Sequence, residues 1–290
     1  MQKPTIIVSG KNGQLGNELR DMSVLFPQFH YHFFDRGDLD ITNSSAVENI
    51  FKKYKPSYFI NAGAYTAVDK AETEQEAAYL TNAEAAGTIA EACNNYNTLL
   101  IHISTDYVFD GTNTTPYKED DVTKPVNYYG FSKWMGEQLA LENNPATIIM
   151  RTSWVYSAYG HNFVKTMLRL MKERSDISVV NDQTGSPTYA KDLAEAILQI
   201  IANCQLSIAY FSRGIYNFSN EGIISWYDFA CAIKEIKNFN CNVHPITTAQ
   251  YPTQTKRPAY SVLDKEKIQK TFGIILKPWK QSLEECLSKL

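Results

Sequence analysis

The stretch Thr5-Ile6-Ile7-Val8-Ser9-Gly10-Lys11-Asn12-Gly13-Gln14-Leu15-Gly16 decides the fold of this chain. Its first part is apolar and rich in β-branched residues, which predicts a short buried strand. Three glycines follow at GxxGxxG spacing, and a helix-like stretch begins at Gln14. Such glycines let the backbone turn tightly and approach a pyrophosphate, and the third allows close packing of helix on strand. The stretch therefore predicts the first βα unit of a dinucleotide-binding sheet, although a glycine-rich turn without a ligand has similar spacing.

The first half of the chain continues this alternation of strands and helices. The predicted strands cover residues 5–9, 30–35, 58–62, 99–104 and 147–152, and the predicted helices cover residues 14–25, 46–54, 74–94 and 129–142. Strands that are separated by helix-length crossovers pair in parallel, with helices on both faces of the sheet. The pattern predicts a doubly wound, Rossmann-type α/β sheet that binds its ligands at the carboxyl ends of the strands.

The second half is less regular. Helical periodicity is clear at residues 163–173, 190–201 and 226–236, and loops rich in Gly and Pro, such as residues 182–188, lie between them. No repeat or flexible linker interrupts the chain, so we expect a smaller C-terminal substrate-binding lobe that packs directly on the sheet and forms a cleft with it. The predicted division assigns residues 1–181, with about 190–218, to the Rossmann domain and residues 182–189 and 219–290 to the smaller lobe.

Composition excludes several classes of function. The 290 residues carry 28 Lys and Arg against 31 Asp and Glu, a net charge of −3, which gives no basic surplus for nucleic acid. No apolar run reaches the roughly 20 residues that a membrane span needs, and no signal peptide is evident, so a cytoplasmic location is expected. The five cysteines and five histidines are dispersed, which indicates reduced thiols and no metal site.

Strand ends supply the candidate coenzyme contacts. Strand two ends in Asp35-Arg36, where a carboxylate suits the ribose hydroxyls of NAD and a guanidinium suits the 2′-phosphate of NADP. Since both are present, either NADPH or NADH is expected, with a slight preference for NADPH. Further candidates are Asp40 and Ile41, beside which an adenine could lie, and the segment after strand three, Ala64-Tyr65-Thr66.

Candidate catalytic residues follow strand four. Thr105 stands at its end, and about 25 residues later a helix opens with Tyr129-Gly130-Phe131-Ser132-Lys133. Tyr129 and Lys133 are four residues apart and so share a helix face. A neighbouring ammonium lowers the pKa of a phenol, which is the adjustment needed to protonate a carbonyl oxygen as hydride reaches its carbon. With 18 tyrosines in the chain the spacing alone proves little, and a Tyr–Lys pair on a solvated helix face is the alternative.

Together these motifs resemble the extended short-chain dehydrogenases, which join GxxGxxG, a Ser or Thr at the end of strand four, and YxxxK. Within them the chain is similar to the dTDP-4-dehydrorhamnose reductases. The matching blocks run from the first strand nearly to the C-terminus: Gly13-Gln14-Leu15-Gly16, Thr66-Ala67-Val68-Asp69-Lys70-Ala71-Glu72, Ser104-Thr105-Asp106-Tyr107-Val108-Phe109, Arg151-Thr152-Ser153-Trp154-Val155-Tyr156, Asn162-Phe163, Met167-Leu168, Asn181-Asp182-Gln183, Gly185, Pro187-Thr188 and Arg257-Pro258.

The resemblance implies that the chain reduces the C4 ketone of dTDP-4-dehydro-L-rhamnose to dTDP-L-rhamnose, in nucleotide-sugar and polysaccharide biosynthesis. Tyr129 would donate the proton, Lys133 would tune it and contact the coenzyme ribose, and Thr105 would hold the sugar oxygen. The expected substrate contacts are Thr105, Asp106, Trp154, Asp69, Lys70 and Arg257. The expected coenzyme contacts are Gly10, Gly13, Gln14, Leu15, Gly16, Asp35, Arg36, Asp40, Ile41, Ala64, Tyr65, Thr66, Tyr129 and Lys133.

Two departures from related patterns refine this expectation. Related 4,6-dehydratases carry an Asp-Glu pair after the strand-four Thr, whereas Asp106 is followed here by Tyr107, so elimination chemistry is not expected. Some family members dimerise through Mg²⁺ held by glutamates; Glu18 matches one of these, but Lys191 stands at another, and an ammonium cannot bind Mg²⁺. No Mg²⁺-bridged dimer is expected, and the chain should be a monomer or a weak homodimer.

Alternatives remain open at this stage. The β-subunit of methionine adenosyltransferase resembles this family, so a non-catalytic regulatory subunit is one of them. A reductase or epimerase of another dTDP-6-deoxy sugar is another. Trp154 is either a stacking surface for the sugar or a core residue, since tryptophan is usually well buried.

Overall fold

The computed structural model describes residues 3–206 and 213–290, except for the side chains of residues 204–206. Residues 207–212, which belong to the predicted segment 190–218, lie outside the described part. The strands are β1 Thr5–Ser9, β2 His30–Phe34, β3 Tyr58–Asn61, β4 Leu99–Thr105, β5 Ile148–Thr152, β6 Val155–Tyr156, β7 Asp176–Val180, β8 Thr184–Gly185, β9 Thr188–Tyr189, β10 Gly214–Phe218, β11 Ile224–Ser225 and β12 Asn242–Ile246.

The helices separate most of these strands. They are α1 Gln14–Met22, α2 Ser44–Tyr54, α3 Val68–Ala71, α4 Gln75–Tyr79, α5 Ala85–Asn95, α6 Tyr128–Asn143, α7 Phe163–Glu173, α8 Ala190–Leu206, α9 Trp226–Lys237, α10 Glu266–Phe272 and α11 Trp279–Ser288. In the described residues no helix is long and apolar enough to cross a membrane.

A six-stranded sheet in the order β10-β5-β4-β3-β1-β2 forms the centre of the molecule. All its pairings are parallel, which confirms the predicted doubly wound α/β fold. The chain order reverses between β1 and β3, and in such sheets the crevice at that point, beyond the carboxyl ends of the strands, binds the ligand. Apolar cores cover both faces: one sheet face packs on α1 and α8, the other on α2, α5 and α6.

A separate apolar core holds the smaller lobe together. It joins α7, β7, α9 and α11 through buried side chains such as Met167, Phe229 and Leu283. The strongly amphipathic sequence of α7 explains its place there, since one stripe of the helix is apolar and the other is charged. The division of the chain at residue 181 stays a prediction, but this core places α7 and β7, which precede that residue, with the smaller lobe.

Two parts of the sequence prediction need correction. The helix predicted over residues 74–94 is interrupted, because a π-helical turn at Leu80–Glu84 separates α4 from α5. Strand β10 was not predicted; it pairs with β5 along its whole length and forms the edge of the main sheet. Its five residues include the buried Asn217, whose side chain donates to the Tyr117 carbonyl at 2.9 Å, and a polar residue of this kind breaks the apolar run by which a buried strand is usually recognised.

Candidate active site

A cleft of about 820 Å³ lies at the carboxyl ends of β1, β3 and β4. The predicted coenzyme contacts line it, except for Gly16, and the three predicted catalytic residues line it as well. Asp106 and Trp154, two of the predicted substrate contacts, also border this space. The fold therefore brings the glycine loop and the Tyr–Lys helix to one continuous cavity.

The glycine loop shows why side chains are excluded on this side of the cleft. Gly10 has φ +79°, and a Cβ there would lie 2.8 Å from the backbone of Ala62 and Gly63. A Cβ on Gly16 would lie 2.2 Å from the Gly10 carbonyl oxygen, so Gly16 serves helix packing and does not face the cleft. The N-terminus of α1 consequently opens onto the cleft next to a bare backbone, which fits the pyrophosphate of a dinucleotide.

The carboxylate at the end of β2 is held by several donors. The carboxylate of Asp35 accepts hydrogen bonds from the backbone N–H groups of Gly37 at 2.9 Å and Asp38 at 3.0 Å. It also accepts from Asn12 Nδ2 at 3.0 Å and pairs with Lys11 Nζ at 3.1 Å. These donors lower the pKa of Asp35, and Lys11 also forms an ion pair with Asp38. Arg36 is exposed at the border of the cleft, which leaves a guanidinium for a phosphate.

The catalytic helix α6 is fixed at its first turn. The Asn127 side chain caps it by accepting from the Gly130 N–H at 2.8 Å, and Glu72 accepts from the Tyr128 N–H at 2.8 Å. Gly130 is required because a Cβ there would lie 2.1 Å from the Tyr107 carbonyl oxygen. These contacts hold the helix against the end of β4, and they place Tyr129 beside the strand that carries Thr105.

Tyr129, Lys133 and Thr105 meet in a largely dry environment. The phenol ring of Tyr129 packs edge-on against Tyr107, with ring centroids 5.6 Å apart. Lys133 is only 2% exposed, and its Nζ donates to the Ile103 carbonyl at 2.6 Å. The Thr105 hydroxyl donates to Asp106 Oδ1 at 3.0 Å. The buried Asp106 has a pKa raised to about 7, because burial disfavours its charged form.

The expected lowering of the Tyr129 pKa by Lys133 is not what the structure shows. Burial raises the pKa of Tyr129 to about 12, and a hydrogen bond with Thr105 offsets only part of that effect. Burial likewise lowers the pKa of Lys133 to about 8, with Glu137 acting in the opposite direction. The phenol is therefore fully protonated near neutral pH, which is the state that a proton donor requires.

Trp154 lines the cleft in the left-handed backbone region at φ +48°. Its indole stacks on Trp226 with ring centroids 3.6 Å apart and an interplanar angle of 10°. Trp226, at the start of α9, also lines the cleft. The sequence did not indicate this role, because an apolar residue is common at such a helix position. One face of Trp154 is thus covered by the smaller lobe, and its half-buried remainder borders the cavity.

Three predicted substrate contacts lie outside the cleft lining. Arg257 pairs with Asp69, its guanidinium 2.9 Å and 3.2 Å from the two carboxylate oxygens. Lys70, next to Asp69 on α3, is exposed. Arg257 lines a neighbouring cavity of about 440 Å³ together with Lys256 and Thr248. The structure therefore brings Asp69 and Arg257 to each other, as a link between α3 and the C-terminal segment.

The two positions that bear on Mg²⁺ are also placed. Glu18 is fully buried; its Oε1 accepts from Ser157 at 2.6 Å, and Lys289 Nζ lies 4.0 Å from its Oε2. Lys191 forms an ion pair with Glu285. In the described residues no group of three His, Cys, Asp or Glu side chains is arranged to hold a metal ion.

Known proteins share both sequence and fold with this chain. The family model described as RmlD substrate binding domain matches residues 4–290. The dTDP-4-dehydrorhamnose reductase of Aggregatibacter actinomycetemcomitans is 44% identical over 96% of this chain and 97% of its own. The crystal structure of dTDP-4-dehydrorhamnose reductase from Bacillus anthracis in complex with NADP has a TM-score of 0.93 at 39% identity, covering 100% of both chains.

A second solved structure agrees with the first. The dTDP-4-dehydrorhamnose reductase of Clostridium acetobutylicum has a TM-score of 0.92 at 39% identity and covers 98% of each chain. Both alignments cover 98% or more of each chain. The chain belongs to the RmlD substrate binding domain family, and it is an oxidoreductase of the kind represented by the dTDP-4-dehydrorhamnose reductases.

Proposed function

We propose that this chain reduces the C4 ketone of dTDP-4-dehydro-L-rhamnose to dTDP-L-rhamnose, with NADPH or NADH as the reductant. The observation that carries the proposal is the cleft that holds the glycine loop, the half-buried Tyr129 and the buried Lys133 and Thr105. The relative that is 44% identical carries the name of this reaction, and the relative with the same fold at TM-score 0.93 binds NADP.

The residues of the cleft fit a dinucleotide coenzyme. Gly10 and Gly13, with the start of α1, would hold the pyrophosphate, and Arg36 would contact a 2′-phosphate. Ile41 and Tyr65 would lie along the adenosine and the ribose. When it is bound, the coenzyme supplies a hydride. Because Arg36 is exposed at the cleft border and the Asp35 carboxylate already accepts from Gly37 and Asp38, we expect NADPH to be used somewhat better than NADH.

Residues of the chain would supply the proton that the reaction needs. Reduction at C4 places a developing negative charge on the sugar oxygen O4, which needs a proton within hydrogen-bond reach. Tyr129 holds that proton because burial keeps its pKa at about 12. Thr105 would hold O4 in line with the phenol, and the Trp154 indole would border the sugar. Asp69 would act at the mouth of the cleft, and Arg257 would have to leave its pair with Asp69 to contact a diphosphate.

The proposed function also has an expected cellular location and assembly. The described free cysteines are mostly buried thiols, which suits a reducing cytoplasm. We infer that the chain acts there in nucleotide-sugar biosynthesis for cell-surface polysaccharide, as a monomer or a weak homodimer without bridging Mg²⁺.

The test is NADPH and NADH oxidation with a panel of 4-keto sugar nucleotides, followed by identification of the product by NMR. Turnover of dTDP-4-dehydro-L-rhamnose to a product with the rhamno configuration supports the proposal. If the chain prefers another 4-keto sugar, or gives a product epimerised at another carbon, the proposed substrate is wrong and the proposed reductase activity is retained. Absence of turnover with every member of the panel would remove the function.

A further inference from the structure

A row of buried polar side chains crosses the sheet beneath the catalytic helix. Ser9, Asn61 and His102 stand at paired positions of β1, β3 and β4. Ser9 Oγ donates to Asn61 Oδ1 at 2.8 Å, and Asn61 Nδ2 lies 3.1 Å from His102 Nδ1. His102 Nε2 is then 3.5 Å from Lys133 Nζ. All three members of the row are at most 2% exposed, and the reaction as described above uses none of them.

The orientation of the Asn61 amide sets the direction of the row, with Oδ1 facing Ser9 and Nδ2 facing His102. An amide NH₂ only donates, so the His102 Nδ1 that faces it accepts. A neutral imidazole then carries its proton on Nε2, and that N–H points toward Lys133. Burial and the neighbouring Lys133 charge lower the pKa of His102 far below its ordinary value, so the ring is neutral. An ammonium has no lone pair to receive this N–H, whereas an amine has one.

We propose that His102 is a positioning residue for Lys133: through its Nε2–H it favours the neutral amine of Lys133 over the ammonium. Lys133 Nζ keeps its donation to the Ile103 carbonyl in both forms. The row from Ser9 holds the ring in the required tautomer. The kinetic consequences of this arrangement rest on the proposed reductase activity, but the tautomer itself does not.

The amine form has a use in the reaction. Once Tyr129 has given its proton to the sugar oxygen, a phenolate remains and must recover a proton. Transfer of a proton from the Lys133 ammonium to the phenolate breaks an N–H bond, forms an O–H bond and leaves the amine, which later takes from the bulk solution the one H⁺ that the reduction consumes. Stabilising the amine makes that transfer easier, and it brings the acid strength of Lys133 close to working pH.

The other charged groups around α6 do not replace His102 in this role. Glu137, one turn beyond Lys133, favours the ammonium but is held by Arg151 at 2.7 Å. Asp106, after β4, lies on the Tyr129 side of the helix and raises the pKa of that phenol. Glu72, on the α3 side, accepts from the first turn of α6. Of these groups, His102 is the one that the structure places within hydrogen-bond distance of Lys133 Nζ.

The tautomer can be observed directly in the unmodified protein. In protein labelled with ¹⁵N-histidine, the ring signals of His102 are identified by their loss in His102→Leu. We expect a protonated Nε2, an unprotonated Nδ1 and no titration through the neutral range. The opposite amide orientation of Asn61 would reverse the donors of the row and give a protonated Nδ1, and that result overturns the proposal whether or not the chain is a reductase.

Kinetics tests the effect on Lys133. Asn61→Asp turns the donor to His102 into an acceptor, so the ring would present a lone pair to Lys133 and stabilise the ammonium. The alkaline limb of the kcat profile should then move to higher pH by about one unit, a tenfold change in proton affinity. In the His102→Leu background the same substitution should move the limb much less. Equal movement in both backgrounds would show that the ring does not transmit the effect, and it would overturn the proposal.

Leu100→Val is the matched control, because Leu100 is a fully buried side chain of β4 on the same sheet face as His102 and lies outside the row. It should lower the melting temperature and leave the pH profile unchanged. A pH shift with Leu100→Val as large as that with Asn61→Asp would mean that loosened packing, not the tautomer, moves the limb. Lack of any turnover with 4-keto sugar nucleotides would remove the proposed function and leave the NMR result to decide the tautomer.

Discussion

Tyr129→Phe removes one oxygen atom and with it the proton donor of the proposed reaction. Because the pKa of Tyr129 is about 12, the wild-type phenol carries its proton throughout the neutral range, and the loss should appear at every pH there. General acid catalysis contributes about 10²–10⁴-fold, which corresponds to about 3–5 kcal/mol in the barrier. Turnover with the sugar nucleotide under saturating NADPH should fall by that factor.

Folding should survive this change. The substitution removes one hydrogen bond with Thr105, worth about 1 kcal/mol, and it keeps the ring that packs on Tyr107. Tyr128→Phe is the matched control, since the same atom is lost one residue earlier on the same helix, outside the cleft lining. It should keep near-normal turnover. If Tyr129→Phe is folded, binds NADPH and still turns over at close to the wild-type rate, the assignment of the proton donor is wrong.

Three further outcomes are expected from the same cleft and its surroundings. Arg36→Ala should lower the ratio of kcat/KM for NADPH to that for NADH by about tenfold, the loss of one charge-assisted contact; an unchanged ratio would remove Arg36 from the phosphate site. Trp154→Ala should weaken binding of the sugar nucleotide, measured by calorimetry, with a modest fall in melting temperature because the stack on Trp226 is lost; a large melting loss with unchanged binding would make Trp154 a core residue. Sedimentation should show the same association with and without EDTA, since Lys191 pairs with Glu285; a dimer that dissociates on chelation would contradict this.

The main sheet was predictable because its signal is local. Most of the first five strands are short apolar runs, all five lie between helical stretches, and this alternation predicts parallel pairing without knowledge of distant residues. The site residues on β1 and β4 follow from that, since parallel strands bring their carboxyl ends to one edge. Strand β10 was not predicted, because its place in the sheet depends on β5, more than sixty residues earlier, and on the buried Asn217.

Contacts between distant segments could not be predicted from spacing. Asp69 and Arg257 are 188 positions apart, and each alone is a plausible substrate contact; only the folded chain shows that they neutralise each other. The same holds for Trp226, which the sequence presents as an apolar helix residue and the fold places flat against Trp154. The type of a side chain indicates what a residue can do, whereas the tertiary fold decides which partner it contacts.

The state of Tyr129 shows what spacing leaves out even for residues on one helix turn. Four residues of separation correctly put Tyr129 and Lys133 on the same face, and a cation near a phenol lowers its pKa by Coulomb attraction. Burial adds a cost to each charged form by itself, and here it raises the pKa of Tyr129 to about 12 and lowers that of Lys133 to about 8. Burial thus outweighs the expected effect of the ammonium on the phenol, although Lys133 with a pKa of about 8 is still mostly charged at neutral pH. For a reductase this means that Tyr129 holds its proton at neutral pH, whereas its pKa of about 12 makes it a weaker acid than a donor matched to the working pH.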